Sequence, residues 1–365
     1  MIAALALLIW LYLVFLHGNF WKSEPELPPA LPGALPSVDI VIPARDEAET
    51  IGAVIASLVA QDYAGPFRVI LVDDNSTDGT AALAGTDPKL TIITGQPKPP
   101  GWSGKLWALS QGVEASSAEV LLFADADITH DPRHLSSLVA RLLAPRVDMV
   151  SEMVKLNCTS WPERFLIPAF VYFFQMLYPF AKVNDPLSAT AAAAGGTVLV
   201  RREALARIGG LERIKSALID DVSLATELKK YGPIFLGHSG LATSIRPYPH
   251  VADIWNMITR TAFTQLRYSG LVLAGTIIGL ALVWLVAPYE VLFGHGWRFI
   301  AGLAAYGLAV VSYLPTLARY RQPKILALAL PLIALFYMAA TLGSAWNYWR
   351  GTGAKWKSRD YGATS

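Results

Sequence analysis

Closely spaced aspartates that follow short apolar runs are the residues of this chain best suited to chemistry. Asp125-Ala126-Asp127 stands at the end of the apolar run Val120–Phe123. A buried strand that ends in two carboxylates is where α/β sheets place ligand chemistry. Two such carboxylates can turn toward one divalent cation, because Mg²⁺ and Mn²⁺ favour oxygen ligands together with substrate phosphates. A lone D-x-D is more often a solvated turn, so its interpretation as a metal site depends on the rest of the chain.

Two more aspartate pairs stand at predicted ends of strands or helices. Asp73 and Asp74 follow the apolar run Val69–Val72, and Asp220 and Asp221 begin a predicted helix. Because successive strand tips converge on one crevice, two pairs would hold a nucleotide and its metal while the third does acid–base work. Each pair alone is compatible with a helix cap or a turn. Their joint occurrence favours a site.

The sequence has no glycine-rich cradle for phosphates. No G-x-G-x-x-G follows the first predicted strand, and no Walker A sequence is present. Phosphates would therefore need a metal and basic residues such as Arg45 and Lys105. Lys105 opens a predicted helix after Gly101-Trp102-Ser103-Gly104, where free N–H groups can meet an anion. A solvated surface lysine is the alternative for Lys105.

The composition narrows the class of protein. Apolar residues make up 53% of the chain, and the mean hydropathy is +0.40, so part of the chain is expected to meet lipid. The net charge of +2 gives no electrostatic case for nucleic acid. The single cysteine, Cys158, excludes a disulfide scaffold and cysteine-based zinc sites, and we interpret it as structural.

The elements that must position these aspartates alternate between short strands and helices, which predicts a mostly parallel, doubly wound α/β sheet. The predicted strands are Val38–Pro43, Val69–Val72, Leu90–Thr94, Val120–Phe123, Gly195–Val200, Ile234–Leu236 and Thr243–Ile245. The predicted helices are Glu47–Gln61, Lys105–Ala115, Pro132–Leu143, Arg201–Ile208 and Asp220–Lys230.

Long apolar runs at both ends predict membrane segments. Residues 1–21 are interpreted as a retained transmembrane anchor rather than a cleaved signal peptide, and residues 22–37 as a proline-rich linker. Residues 269–348 contain three predicted transmembrane helices, at Leu271–Pro288, Phe299–Leu317 and Ile325–Trp346. Between them lies a predicted catalytic domain, residues 38–268, in which Phe165–Phe180 is either an interfacial, lipid-facing helix or a core helix.

The positive-inside rule leaves the side of the basic tail, residues 349–365, open. The loop with Arg319, Arg321 and Lys324 suits the cytoplasm, and so does the tail with its four basic residues. One predicted span, Ile325–Trp346, separates the two basic segments, so both lie inside only if one apolar run does not cross. The basic residues of the tail are Arg350, Lys355, Lys357 and Arg359.

Several of these motifs, in this order, resemble family 2 glycosyltransferases with the GT-A fold. The resemblance covers roughly Ser37–Arg267 and rests on Pro43-Ala44-Arg45-Asp46-Glu47, VDDNSTDGT, GKLWAL, DAD, Gly195-Gly196-Thr197 and IDDVSLATELKKYG. The layout of anchor, domain and three helices is similar to the hopene-associated glycosyltransferases of bacterial hopanoid clusters. The expected fold class is therefore α/β: a GT-A (nucleotide-diphospho-sugar transferase-like) domain with a mostly parallel sheet, an N-terminal anchor and C-terminal transmembrane helices.

The resemblance implies a role for each matching residue. Asp125 and Asp127 would hold Mg²⁺ or Mn²⁺, and Asp221 would be the catalytic base with Asp220 beside it. Gly195, Gly196 and Arg267 would lie on the acceptor side. The residues implied to bind the nucleotide-sugar are Pro43, Ala44, Arg45, Glu47, Asp73, Asp74, Lys105, Asp125 and Ala126.

The expected function is a single, inverting transfer of sugar. Thr264-Gln265-Leu266-Arg267-Tyr268 keeps the arginine of the processive Q/R-x-x-R-W motif without its flanking residues, so polymer synthesis is not expected. The donor would be a nucleotide-diphospho-sugar, with a UDP-sugar first, and the acceptor a lipid hydroxyl, a hopanoid by resemblance. His250, Trp255 and Phe165–Phe180 would line the acceptor entrance, although a surface histidine and an interfacial anchor are the ordinary interpretations of the first two.

The enzyme would be a multi-pass protein of the bacterial inner membrane with its catalytic domain in the cytoplasm. Two alternatives remain open: a transferase to polyprenyl phosphate, which needs no hydroxyl-activating base, and a catalytically silent membrane scaffold that binds a lipid or a protein. A sugar nucleotidyltransferase is disfavoured, because its glycine-rich opening is missing. The sequence leaves the oligomeric state open.

Overall fold

The structure is a computed structural model that describes residues 1–23, 25–29, 35–352, 355–356 and 359–360. These residues form two compact units. Limited to the described residues, the sheet unit falls within 25–157, 182–247 and 355–360, and the helical unit within 1–23, 158–181 and 248–352. Parts of the predicted linker and of the basic tail, including Lys357, lie outside the described residues.

The sheet unit is built on one eight-stranded sheet in the order β3-β2-β1-β4-β7-β6-β8-β5. Its strands are β1 Val38–Ala44, β2 Phe67–Asp73, β3 Leu90–Thr94, β4 Val120–Ala124, β5 Ile128–His130, β6 Met149–Lys155, β7 Thr197–Arg201 and β8 Ile234–Ser244. A two-residue pair, β9 Lys355–Trp356 and β10 Arg359–Asp360, is separate from this sheet.

The sheet is mixed, so the prediction of a mostly parallel sheet needs correction. Strands β3, β2, β1 and β4 run parallel to one another, and β6 runs parallel to β8. Strand β7 runs antiparallel to β4 and β6, and β5 runs antiparallel to β8. A parallel crossover needs a dozen or more residues. Only Asp125-Ala126-Asp127 separates β4 from β5, which is too short for a parallel crossover. Strand β5 pairs antiparallel with β8 at the edge of the sheet.

The helices of the chain are short in the sheet unit and longer in the helical unit. Their bounds are α1 Ile2–Phe15, α2 Ile51–Val59, α3 Thr80–Leu83, α4 Gly104–Glu114, α5 His134–Leu143, α6 Trp161–Leu177, α7 Phe180–Asn184, α8 Arg202–Arg207, α9 Asp220–Lys229, α10 Val251–Thr259, α11 Ala262–Gln265, α12 Gly270–Trp284, α13 Val286–Phe293, α14 Trp297–Arg319 and α15 Leu330–Trp349, with 3₁₀ turns at Leu211–Ile214 and Lys324–Ala329.

The sequence pattern places most elements of the sheet unit but misjudges some bounds. Strands β5 and β6 were not predicted, and the two strands predicted near the end of the unit are one strand, β8. Helix α2 begins at Ile51 rather than Glu47. Glu47 precedes the helix, and its backbone N–H donates to Thr80 Oγ1 at 2.8 Å.

The parallel half of the sheet forms the hydrophobic core. Every residue of β1 and β4 is buried. Helix α4 approaches the sheet at Gly112, where an added Cβ would lie 2.2 Å from Val41 Cγ1. This close contact fixes α4, and with it Lys105 in its first turn, against the strands that carry the aspartates.

Among the residues that the structure describes, two helical stretches are long and apolar enough to cross a membrane: Trp297–Arg319 and Lys324–Trp349. A third is possible only if α10–α11 and α12, bent by 119°, form one broken span. The predicted span Leu271–Pro288 is therefore not one long helix. Helix α1 has 14 residues, fewer than the about 20 that a span needs, so the N-terminal anchor remains a prediction.

The apolar segment Phe165–Phe180 forms most of α6 and ends before Phe180. Ser160 and Glu163 form a capping box that begins the helix. Tyr172 is fully buried, and its hydroxyl lies 2.7 Å from Ser312 Oγ of α14. One face of α6 therefore belongs to the core of the helical unit, while its contact with lipid stays a prediction.

Candidate active site

The D-x-D loop is a tight connection from β4 to β5, held by its backbone. Asp125 N–H donates to Gly196 O at 3.3 Å, and Ile128 N–H donates to Asp125 O at 3.3 Å. Ile245, just after β8, donates its N–H to Asp127 O at 2.9 Å. These bonds join the loop to Gly196, just before β7, and to Ile245, just after β8. The backbone that carries the two carboxylates is therefore held in place.

Lys105 joins the D-x-D loop to the start of α9. Ser103 caps α4 by accepting a hydrogen bond from Leu106 N, which places Lys105 in the first helical turn. Its Nζ lies 2.8 Å from Asp125 Oδ1 and 3.1 Å from Asp220 Oδ2. Burial alone would lower the pKa of Lys105, but the charges of Asp125 and Asp220 raise that pKa well above its usual value. Lys105 is therefore a permanent cation between the two carboxylates.

Asp221 follows Asp220 in the first turn of α9 and has the properties of a base. Burial, and next the charge of Asp220, raise its pKa to about 7. Its Oδ1 accepts the N–H of Val222 at 2.8 Å. An added Cβ on Gly195 would lie 3.1 Å from Asp221 Oδ2, so the glycine leaves room beside the carboxylate. A carboxylate with this pKa can accept a proton near neutral pH.

Six of the residues predicted from sequence share one cleft at this edge of the sheet. Burial raises the pKa of Asp125 there, with the charge of Lys105 acting against the shift. The cleft is lined in part by Pro43, Lys105, Asp125, Gly195, Asp220 and Asp221.

Arg246 belongs to the same edge and was missed by the sequence analysis. Its guanidinium donates to Asp127 Oδ2 at 2.5 Å, and to both Glu47 carboxylate oxygens at 2.7 and 2.9 Å. The available signal was its position directly after the predicted strand Thr243–Ile245, at the sheet edge that carries the other predicted residues. The partner residues are distant in sequence, which is why spacing alone does not identify the contact.

The loops after β1 and β2 hold each other in place. Arg45 Nη1 donates to the backbone oxygen of Asp74 at 2.5 Å and lies 3.6 Å from Asp74 Oδ2. Asp73 Oδ1 accepts the N–H of Ser76 at 3.1 Å. Asp74 is fully buried, whereas Asp73 keeps a small exposed fraction. In this arrangement the aspartates organise the loop, and their contact with the nucleotide-sugar remains a prediction.

The other predicted residues either lie beside the cleft, buried or half-buried, or belong to the helical unit. Ala44 and Ala126 are buried, and an added Cβ on Gly196 would lie 3.2 Å from Val154 side-chain carbons. Arg267 belongs to the helical unit, where it follows α11 with a φ of 53°. His250 and Trp255 are also in the helical unit, at the start and within α10.

The donor set at the D-x-D loop fits a hard divalent cation. Asp125 and Asp127 offer only carboxylate oxygens, which suit Mg²⁺ or Mn²⁺. In the part of the chain that the structure describes, no group of three or more His, Cys, Asp or Glu residues is arranged to hold a metal. Magnesium sites commonly use one or two carboxylates plus substrate phosphates, so the aspartates would need the donor to complete the coordination.

The profile of glycosyl transferase family 2 matches residues 39–209. An N-acetylglucosaminyltransferase of Bradyrhizobium elkanii is 31% identical over 138 residues, which cover 36% of this chain and 72% of the relative. This chain belongs to glycosyl transferase family 2.

Other relatives match over shorter parts of their own lengths. An N-acetylglucosaminyltransferase of Sinorhizobium fredii is 34% identical over 32% of this chain, and the match spans only 28% of that relative. A 4,4'-diaponeurosporenoate glycosyltransferase of Staphylococcus aureus is 36% identical over 26% of this chain and 24% of the relative. This chain therefore spans less than a third of the length of these two relatives.

A solved structure supports the GT-A fold. The mannosyltransferase of Pyrobaculum calidifontis, solved with GDP-Man and Mn²⁺, matches 94% of this chain and 99% of its own, with a TM-score of 0.54 at 20% identity. At that identity the likeness concerns the fold. This chain is accordingly a family 2 glycosyltransferase with a GT-A-like mixed α/β sheet and two C-terminal helices that meet the length and composition of membrane spans.

Proposed function

We propose that this glycosyltransferase is membrane-bound and moves one sugar, with inversion, from a nucleotide-diphospho-sugar to a hydroxyl of an amphiphilic lipid. A UDP-sugar is the proposed donor. The single observation that supports this most is the position of Lys105. Its Nζ lies 2.8 Å from Asp125 of the D-x-D loop and 3.1 Å from Asp220, the neighbour of Asp221. Donor-side and base-side carboxylates thereby share one cleft.

Asp221 is the proposed general base. A carboxylate whose pKa is raised to about 7 by burial and by Asp220 is ionised in a useful fraction of molecules at neutral pH and still basic enough to take a proton. It would remove the proton of the acceptor hydroxyl as the oxygen attacks the anomeric carbon. The bond from that carbon to the diphosphate breaks on the opposite face, so the configuration inverts. Gly195 leaves the space beside Asp221 in which the hydroxyl would lie.

The residues of the D-x-D loop would bind the departing diphosphate. When bound there by Asp125 and Asp127, Mg²⁺ or Mn²⁺ supplies positive charge that stabilises the leaving group. Lys105 is a second, fixed positive charge on the same side of the cleft, and its Nζ needs no proton transfer to act. Metal dependence is part of this proposal.

The acceptor is proposed to be a lipid, because two C-terminal helices have the length and apolarity of membrane spans. A catalytic domain attached to the bilayer suits a hydroxyl at the depth of the headgroups. A hopanoid polyol is the first acceptor to test, on the strength of the resemblance in layout. The donor is made in the cytoplasm, so the proposed location is the bacterial inner membrane with the sheet unit on the cytoplasmic side.

The test is donor turnover by the full chain purified in detergent. UDP-, GDP- and dTDP-sugars are supplied with Mn²⁺, with Mg²⁺ or with EDTA, in the presence and absence of bacterial lipid extract. One donor should be consumed with metal, faster with lipid, and not by Asp127→Ala. Arg146→Gln removes an exposed arginine–carboxylate pair with Glu203 and should behave as the wild type.

Two outcomes would reject the proposal in different ways. Absence of turnover and of nucleotide binding by calorimetry would favour a silent scaffold. Turnover that survives Asp221→Asn would exclude a hydroxyl acceptor that needs this base and would favour transfer to polyprenyl phosphate. Mass spectrometry of the glycosylated lipid would then identify the acceptor directly.

A further inference from the structure

Both carboxylates of the D-x-D loop already have a side-chain cation as a partner. Lys105 Nζ lies 2.8 Å from Asp125, and the Arg246 guanidinium donates to Asp127 at 2.5 Å. A divalent cation that binds the D-x-D loop must share or replace these partners. Arg246 is the more replaceable of the two, because its side chain is 32% exposed whereas that of Lys105 is 19% exposed.

The chemistry of Arg246 matches a diphosphate as well as it matches carboxylates. It forms a fork on Glu47, with 2.7 and 2.9 Å contacts to the two oxygens. Planar, bidentate donors of this kind bind phosphate and carboxylate with the same geometry. The backbone beside it is fixed, since Ile245 N–H donates to Asp127 O at 2.9 Å. Only the side chain has to move for Arg246 to change partners.

We propose that Arg246 exchanges ionic partners when the donor binds. Its guanidinium leaves Asp127 and Glu47 for the diphosphate of the donor, and Asp127 becomes available to the metal that arrives with that diphosphate. Arg246 thereby disfavours binding of metal alone and couples metal binding to nucleotide binding. This inference rests on the proposed function, because it requires a nucleotide diphosphate as ligand.

The exchange has a charge balance that explains the coupling. Without the donor, the guanidinium neutralises carboxylates that would otherwise attract a cation. With the donor, the diphosphate supplies negative charge for both the guanidinium and the metal. Asp127 then has the metal as its positive partner, and Glu47 keeps the hydrogen bond donated by the Thr50 hydroxyl. If Arg246 only linked Glu47 to Asp127 as a structural contact, its replacement would not weaken nucleotide binding.

The test is Mn²⁺ binding to the full chain in detergent, followed by the EPR signal of free Mn²⁺, with and without UDP. Arg246→Gln should bind Mn²⁺ roughly threefold to tenfold more tightly than the wild type when nucleotide is absent, because a partly exposed competing cation is gone. In saturating Mn²⁺, the same variant should bind UDP about tenfold more weakly, since a charge-assisted contact to phosphate is lost. GDP and dTDP are run in parallel to cover the other donors.

Two further variants control for folding and for nonspecific charge. Arg246→Lys keeps the positive charge without the fork, so its Mn²⁺ affinity should stay near the wild-type value while UDP binding weakens. Arg146→Gln removes a surface arginine that pairs with Glu203 and should change neither affinity. Thermal unfolding of each variant establishes that the protein measured is folded.

The outcomes separate this inference from the proposed function. If the wild type binds UDP but Arg246→Gln leaves Mn²⁺ affinity unchanged or weaker, the exchange is refuted while the proposed function stands. If the wild type binds none of the three nucleotides, the proposed function fails and the exchange fails with it. Tighter Mn²⁺ binding together with weaker UDP binding supports both.

Discussion

Replacing Asp220 by asparagine should shift the pH dependence of transfer to lower pH. Asp221 must be ionised to accept a proton, so activity should rise with pH through the pKa of Asp221. Burial raises that pKa first, and the charge of Asp220 raises it further, to about 7. Asp220→Asn removes the like charge. It also leaves Lys105, which lies 3.1 Å from Asp220, with less negative charge to neutralise near Asp221. Both effects favour the ionised form of Asp221.

The magnitude follows from the size of the shift. The pKa of Asp221 rises from an ordinary value of 3.8 to about 7, a change of about 3 units of which burial is the larger part. Loss of one neighbouring carboxylate should lower the pKa by about 1 unit, or about 1.4 kcal/mol in favour of the ionised form. At a pH about 1 unit below the wild-type midpoint, the ionised fraction of Asp221 would rise from about one tenth to about one half.

The assay is the initial rate of transfer at saturating donor, measured from about pH 5 to about pH 9 for the wild type and for Asp220→Asn. The quantity compared is the midpoint of the acidic limb, which is independent of any overall loss of rate. Glu227→Gln, on the same helix, removes an acidic residue that pairs with Arg213 and Lys230 and should leave the midpoint in place. A midpoint that stays unchanged or moves upward in Asp220→Asn would refute the reasoning.

Three further predictions concern stability and fit. Asp221→Asn should be more stable than the wild type at about pH 8 by about 1–2 kcal/mol, after allowing for solvent contact, and the difference should shrink below about pH 5. The sign follows because the raised pKa of Asp221 makes the folded wild type lose stability as pH rises toward about 7. Denaturant titrations at the two pH values measure the stability difference between the two proteins. An equal difference at both pH values would contradict the prediction. Gly195→Ala should reduce kcat about 100-fold, because its Cβ would lie 3.1 Å from Asp221 Oδ2 and displace the carboxylate; normal kcat would contradict the contact. Gly112→Ala should lower the free energy of unfolding by about 1–3 kcal/mol, because its Cβ would lie 2.2 Å from Val41 Cγ1; a calorimetric Tm equal to that of the wild type would be inconsistent with the packing.

The local pattern of the chain predicts much of the site. The apolar run before Asp125 predicts β4, and the capping residue Ser103 precedes the helix that carries Lys105. The alternation of strands and helices predicts that the ends of β1, β2 and β4 lie at one edge, which the parallel pairing confirms. Lys105 contacts both Asp125 and Asp220, so these two aspartate pairs lie close together. The functional roles of the aspartates remain predictions.

Local patterns predict less where a residue's neighbours come from far along the chain. Strand β7 was predicted, but its antiparallel pairing is with β4 and β6, strands that lie far from it along the chain. Strand β6 escaped prediction because buried polar residues, including Glu152, interrupt its apolar pattern. The predicted transmembrane helix Leu271–Pro288 is shorter than expected because α12 ends at Trp284.

The sequence by itself determined the types and local positions of the reactive groups: carboxylates at strand and helix ends, a lysine in a first helical turn, and apolar helices at the C-terminus. Only the tertiary structure decided how these groups affect one another. The pKa of Asp221 depends on burial and on Asp220, and the contact of Arg246 with Asp127 joins residues 119 positions apart. Electrostatic interactions depend on distance and on exclusion of water, and both are set by the folded chain rather than by spacing in the sequence.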